Sequence, residues 1–380
     1  MQTYSNNIYD CRHIILSGGG TKGFAYIGLT KILKEYEIYD KLETILGFSV
    51  GSIFSIALLL KMNYQELTDI VLKTNFFNSL INIETNDVLN FTHNKGLING
   101  DKIKKFIKEI IKIKTDREDM TFLESYQLTN IVLGISVTNL TTKQLNLITY
   151  KTDPELSIAD AVVMSCSIPL LFEPYKYNNC LYVDGDMAID CKNNPRFFKE
   201  IYDIDTEINS KYNIMLEEVK KDTENEQKDT ENEQKDPENE QKDTENTKKK
   251  LVDSHNTYNT YNFMIKHKDS IRKTIEEELI SNYFSKTLTL YLKKEPKIYT
   301  CENIDVSTLT EYITLLYDAS YKIAYNNTYQ YPNCNIDIYL PNQLGSFMNF
   351  KLENEDIVNS IDIGYNIIKK TIENSKSLKL

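Results

Sequence analysis

Glu43-Thr44-Ile45-Leu46-Gly47-Phe48-Ser49-Val50-Gly51-Ser52-Ile53-Phe54-Ser55-Ile56-Ala57-Leu58-Leu59-Leu60-Lys61 is the stretch whose reading decides the fold. Residues 43–48 read as a strand, and residues 49–61 as a nearly all-apolar helix, a pattern that suits only a buried position. Between them lies Gly47-Phe48-Ser49-Val50-Gly51, a G-x-S-x-G at a strand-to-helix turn. A nucleophile has to stand proud of the backbone, so the chain turns sharply, and under strain, at the serine. Glycines on either side remove the Cβ atoms that would collide. The helix that follows points its partial positive end at the same place and favours negative charge developing there. The bland alternative is a tight turn with a capping serine.

Upstream, residues 12–17 read as a first strand, His13-Ile14-Ile15-Leu16 being its apolar centre, followed by Gly18-Gly19-Gly20-Thr21-Lys22-Gly23. Residues 22–36 then carry Phe24, Ile27, Leu29, Ile32 and Leu33 at helical spacing. Strand-turn-helix twice over is the pattern of a parallel sheet flanked by helices. Downstream, residues 101–112 form an amphipathic helix with Ile103, Phe106, Ile107, Ile110 and Ile111 on one stripe. Residues 131–137 and 144–150 read as strands, 157–166 as a helix, 181–183 as a short strand, 336–340 as a strand and 354–373 as a helix.

Three seven-residue repeats, KDTENEQ, KDTENEQ and KDPENEQ, occupy residues 221–241, and a fourth decays into Lys248-Lys249-Lys250. No position of the repeat is apolar, so a coiled-coil seam is excluded. With no apolar surface to offset chain entropy, the segment is expected to be disordered. The organisation expected is a catalytic core over 1–206, a disordered acidic insertion over 207–258, and helices and a strand over 259–380 that complete the same domain. Residues 221–246 hold eleven carboxylates and four lysines, a balance of −7 within the chain's −11, so the remaining globule is only mildly acidic. No basic face suggests nucleic acid. Six scattered cysteines form no CxxC pair, which disfavours zinc and disulfide scaffolds and makes a reducing cytoplasm the expected compartment. Residues 1–13 have no apolar signal-peptide core, and the longest apolar run, 56–60, is too short for a membrane span.

The consecutive glycines let backbone N–H groups converge on an anion at the start of a helix. A nucleotide phosphate is one candidate, but the GxxxxGK[ST] spacing is absent. An acyl-transfer oxyanion is the other, and a nucleophile one βα unit later favours it. Serine also needs a base. The chain has four histidines, His13 in a strand, His93 in a polar loop, and His255 and His267 in or beside the insertion, none convincingly placed after an acid. Asp184-Gly185 ends the short strand 181–183, and a Ser49–Asp184 dyad fits better than a triad.

GGGTKG, GFSVG and DG in this order resemble the patatin-like phospholipase family. Gly96-Leu97-Ile98-Asn99-Gly100-Asp101, Thr138-Asn139-Leu140, Ser165-Cys166-Ser167-Ile168-Pro169 with Phe172 and Pro174, and the tail with Ile338-Tyr339-Leu340-Pro341, Phe350 and Gly364-Tyr365 extend the likeness. It covers about 12–195 well and 335–370 more loosely. The resemblance implies a three-layer α/β/α sandwich with a mostly parallel central sheet. It implies Ser49 as nucleophile, Asp184 as base, and an oxyanion hole from the amides of Gly18, Gly19, Gly20 and Val50. Auxiliary positions are Lys22, Gly23, Gly47, Gly51, Gly185 and Asp186. Two departures stand out. Asp186 occupies the third place of the motif, where the family usually has glycine or alanine (D-G-G or D-G-A), and brings a second carboxylate, and Asn193-Asn194-Pro195 comes late for the family's N-x-P.

The expected reaction is acyl-ester hydrolysis through an acyl-enzyme, with no metal and no cofactor. The expected partners are a lipid or phospholipid substrate and a peripheral membrane surface. Phe76, Phe77, Leu80, Ile81, Ile83, Val88, Leu89 and Phe91 are candidates to line or cap an apolar channel. A general esterase or triacylglycerol lipase with the same dyad, and a non-catalytic lipid-binding relative, are the alternatives.

Overall fold

The structure is a computed structural model that describes residues 8–74, 85–187, 195–233, 260–294, 334–341 and 352–377. β1 (His13–Leu16) leads through a 3-10 turn, Gly20–Phe24, into α1 (Ala25–Glu35), and β2 (Thr44–Phe48) leads directly into α2 (Val50–Leu59). Every residue of β1, β2 and α2 is buried, which is why these segments are apolar throughout rather than alternating. α3 (Tyr64–Thr74), α4 (Thr85–Asn94), β3 (Gly96–Ile98) and α5 (Asp101–Thr115) follow. The α5 stripe from Ile103 to Ile111 is buried, as its spacing predicts.

α6 (Phe122–Thr129) opens on a capping box in which Thr121 and Glu124 satisfy each other's backbone amides. Then come β4 (Val132–Asn139), β5 (Gln144–Ile148), α7 (Ile158–Cys166), β6 (Leu170–Phe172), β7 (Tyr175–Tyr177) and β8 (Cys180–Asp184). α8 (Pro195–Tyr202), α9 (Ile204–Glu233) and α10 (Lys268–Ser285) precede β9 (Thr287–Lys294), β10 (Cys334–Leu340) and α11 (Asn354–Ser377).

Among the described residues, eight strands form the central sheet in the order β10-β9-β1-β2-β4-β8-β7, with β5 also on β4. The β10-β9-β1-β2-β4 run is parallel throughout, and β5, β8 and β7 are antiparallel additions. The sheet is therefore mostly parallel and is flanked by helices, the class read from the sequence. In register, His13 lies opposite Thr44 and Leu16 opposite Gly47, so the loops after β1 and β2 emerge side by side at the carboxyl ends of their strands. Ligands of open parallel sheets bind at such a rim.

The chain divides into two compact units, residues 1–194 with 283–380, and residues 195–282. The second is helical in its described part, with Ile204, Ile208 and Tyr212 along the buried side of α9. The disorder expected from residue 207 onward is corrected here. α9 runs as one helix to Glu233, through the first repeat and most of the second. Lys, Glu and Gln are good helix formers, so lack of an apolar seam excludes a coiled coil without excluding a solvated helix. Residues 234–259 lie outside the described residues.

Candidate active site

Ser49 sits between the last residue of β2 and the first of α2, with φ 50° and ψ −127°. This is a strained conformation for a residue with a Cβ, costing on the order of 1–3 kcal/mol, and it persists only where the surroundings impose it. Here they do. The Ser49 carbonyl accepts from the Ser52 hydroxyl at 2.5 Å and from the Ser52 amide at 2.8 Å. The Ser49 amide donates to Ser165 Oγ at 3.0 Å. Gly51 lies so close to β1 that a Cβ there would come within 2.3 Å of the Leu16 carbonyl oxygen.

The Ser49 hydroxyl donates to Asp184 Oδ2 at 2.5 Å. Asp184 is the last residue of β8. Its amide donates to the Ser167 carbonyl at 2.9 Å, its carbonyl accepts from Thr138 Oγ1 at 2.9 Å, and its Oδ1 accepts from the Asp186 amide at 2.7 Å. Ser49 and Asp184 are 5% and 4% exposed, so the carboxylate is desolvated but met by a donor on each oxygen. Cys166 is the neighbouring thiol. Burial first, and then the Asp184 charge, push it well above the usual thiol range, while its contact with Ser52 Oγ at 3.7 Å pulls the other way. A thiol held protonated is a poor nucleophile.

The glycine loop is tied to β9. The Ser17 amide donates to the Leu290 carbonyl at 3.1 Å, and the Leu292 amide donates to Ser17 Oγ at 3.1 Å. The fully buried Tyr26 hydroxyl donates to the Ser17 carbonyl at 2.8 Å, with the Leu290 carbonyl at 3.2 Å on its other side. Gly20 has φ 57°, a left-handed turn that aims the start of the 3-10 segment. The amides of Gly18 and Gly19 meet no acceptor among the described residues. Val50 is the first residue of α2, whose leading amides have no partner inside the helix.

The auxiliary positions gather at the same place. Gly47 backs onto Ser52, Gly23 faces Val50 and Phe54, and Gly185 faces the Ser136 carbonyl. Lys22 donates to the Leu292 carbonyl at 3.4 Å. Asp186 Oδ2 is 2.6 Å, and Ser49 Cβ 3.0 Å, from the point a Cβ on Gly18 would occupy. The second carboxylate thus borders Gly18 on the side it shares with Ser49. His13 lies at the amino end of β1, away from Ser49. Burial, then Lys286 and Arg12, lower its pKa to about 3, which leaves it neutral. His93 and His267 are exposed, and His255 lies outside the described residues.

Three side chains here escape sequence reasoning. The roles of Ser165, Ser17 and Tyr26 rest largely on contacts with distant parts of the chain, and a polar atom in an otherwise apolar segment is the one local sign each offers. Of the proposed channel residues, Phe76, Phe77, Leu80, Ile81, Ile83 and the side chain of Val88 lie outside the described residues. Leu89 is 73% exposed, and Phe91 packs against the core. Among the described residues no group of three or more His, Cys, Asp and Glu side chains is gathered as metal ligands would be, and no helix is long and apolar enough to cross a membrane.

A family model described as patatin-like phospholipase matches residues 14–189. Over 174 residues the chain is 30% identical to "Probable lipid hydrolase 463L" of Invertebrate iridescent virus 6, covering 45% of this chain and 58% of that protein. Triacylglycerol lipase SDP1L of Arabidopsis thaliana is 28% identical over 174 residues, 44% of this chain and 20% of its own length. The chain spans less than two thirds of the curated relatives it matches. Among solved structures, VipD from Legionella pneumophila aligns over 96% of this chain and 67% of its own, at 12% identity and a TM-score of 0.45.

Proposed function

We propose that this chain, whose residues 14–189 match the patatin-like phospholipase family, hydrolyses fatty acyl esters of lipids through a Ser49–Asp184 dyad. The observation that carries the reading is the hydrogen bond from Ser49 Oγ to Asp184 Oδ2, in a buried elbow whose backbone is strained. As the hydroxyl attacks the ester carbonyl carbon, its proton passes to Asp184. The same carboxyl then returns that proton to the departing alcohol, leaving an acyl-Ser49. Water, giving a proton to Asp184, attacks the acyl carbon; as the bond from that carbon to Ser49 Oγ breaks, Asp184 passes the proton to Oγ, which releases the fatty acid and restores the serine and the carboxylate. Charge on the tetrahedral oxygen is met by the amides of Gly18, Gly19, Gly20 and Val50, each such donor contributing about 3–4 kcal/mol. Lipid in a membrane surface is the substrate source this reading implies, approached peripherally.

Covalent labelling tests it. A fluorophosphonate is expected to modify Ser49 and to abolish hydrolysis in proportion, with the adduct located by peptide mass spectrometry. An adduct elsewhere, or none on folded protein that still cleaves lipid esters, overturns the assignment of the nucleophile.

A further inference from the structure

We propose that the carboxyl end of α7 aligns the two members of the dyad, and that Ser165 on it is the positioning residue that keeps Ser49 in its reactive orientation. The inference rests on the hydrolase reading above and deepens it.

Two bonds run from that end of the helix to the site. Ser165 Oγ accepts from the Ser49 amide at 3.0 Å, and the carbonyl of Ser167, just past the last turn, accepts from the Asp184 amide at 2.9 Å. Ser49 follows β2 and Asp184 ends β8, so one short stretch of chain ties nucleophile and base to a common support. Cys166, between the two serines, packs its thiol 3.7 Å from Ser52 Oγ.

The Ser165 hydroxyl serves the elbow rather than its own helix. A serine in a helix often turns back onto a carbonyl one turn earlier. Ser167 does so, donating to the Val163 carbonyl at 2.8 Å, and Ser125 in α6 donates to the Phe122 carbonyl at 2.8 Å. Ser165 is fully buried, and among the described residues its hydrogen bond is the one it accepts from Ser49. Val162, Val163 and Met164 precede it, so packing alone does not call for an oxygen at this position.

The bond acts on the backbone of the nucleophile. The peptide plane before the Ser49 Cα is held by Ser165 at the amide, and the plane after it by Ser52 at the carbonyl. With both planes held, φ and ψ are held too, and the direction of Cβ and Oγ follows from them. A φ of 50° is unfavourable for a residue with a Cβ, so releasing the first plane lets the chain relax toward negative φ. That relaxation swings Oγ away from Asp184, which Ser167 still holds in place.

The test is Ser165→Ala in the full chain, read with a soluble acyl ester. Turnover is expected to fall about a hundredfold, the cost of displacing a reacting group by about 1 Å. KM is expected to stay within about threefold of the wild type, because the alignment of Ser49 enters after the ester has bound. Labelling of Ser49 by a fluorophosphonate reads the same hydroxyl without lipid, and it slows in proportion to kcat. Ser125→Ala is the control: it removes another buried helical hydroxyl and lowers the Tm, and it leaves kcat in place. If Ser165→Ala does not fold, Ser165→Cys takes its place, filling the same space with a thiol that accepts only weakly, and a loss of kcat with KM retained is again expected. A folded Ser165 variant with wild-type kcat and labelling, or one whose loss lies in KM alone or is matched by Ser125→Ala, overturns the inference alone. A wild type that neither hydrolyses esters nor takes the label overturns the hydrolase reading and this inference with it.

Discussion

Asp184→Asn lowers turnover by about 10²- to 10⁴-fold, the range a positioned general base contributes, while Asp186→Asn costs less than about tenfold. Asparagine preserves shape and the acceptor for the Asp186 amide. It cannot take a proton, and its amide nitrogen then faces Ser49 Oγ as a donor, which turns the hydroxyl proton away. Asp186 contributes to Asp184 through its backbone amide, which Asp186→Asn leaves in place. Measuring kcat for both variants on one soluble acyl ester, beside a thermal melt that certifies folding, separates the two carboxylates. Equal losses in both variants, or an Asp184→Asn enzyme that keeps more than about a tenth of the wild-type rate, would mean that the base has been misassigned.

A second large effect is expected from Gly51→Ala. The added methyl would lie 2.3 Å from the Leu16 carbonyl oxygen and 2.8 Å from that of Ser17. Both neighbours are backbone, so relief requires moving the end of β1 or the start of α2. Overpacking of this sort destabilises by about 1–3 kcal/mol. Activity suffers more than stability, because the displaced residues adjoin Gly18–Gly20 on one side and Ser49 on the other. A shift of about 1 Å in a reacting group costs on the order of 10²-fold. The expected result is a folded protein with a modestly lowered Tm and kcat/KM down about a hundredfold. Near-normal turnover would show that the two loops tolerate separation.

The chemistry is more legible in the sequence than the sheet that holds it. G-x-S-x-G at a strand-to-helix junction announces Ser49 locally, since glycines and an apolar helix are needed within a few residues of it. Asp184 is legible only with the order GGGTKG, GFSVG, DG, because a strand-end Asp-Gly is otherwise an ordinary turn. β9 carries its own sign, Leu288, Leu290 and Leu292 alternating with Thr and Tyr. Its place beside β1 is nevertheless invisible locally, since register is settled by partners hundreds of residues apart. Ser165 is hidden for the same reason: a serine on an apolar helix says nothing about an amide 116 residues earlier. The helix through the acidic repeats is missed because burial, not propensity, is the usual guide, and these repeats have propensity alone.

The bonds between Ser17 and β9 also bear on when, during synthesis, the site is complete. Ser17 and Leu292 are 275 residues apart, yet their hydrogen bond anchors the loop beside the nucleophile. During translation the elbow and Asp184 leave the ribosome long before β9 does. The growing chain therefore carries both partners of the proposed dyad next to a glycine loop that still lacks its ties to Leu290 and Leu292. On the proposed reading, the hydrolase site stays incomplete until synthesis has passed Lys294. Ribosome-bound chains arrested at residue 285 are expected to escape fluorophosphonate labelling that full-length chains take up. Equal labelling of both would show that the loop organises itself without β9.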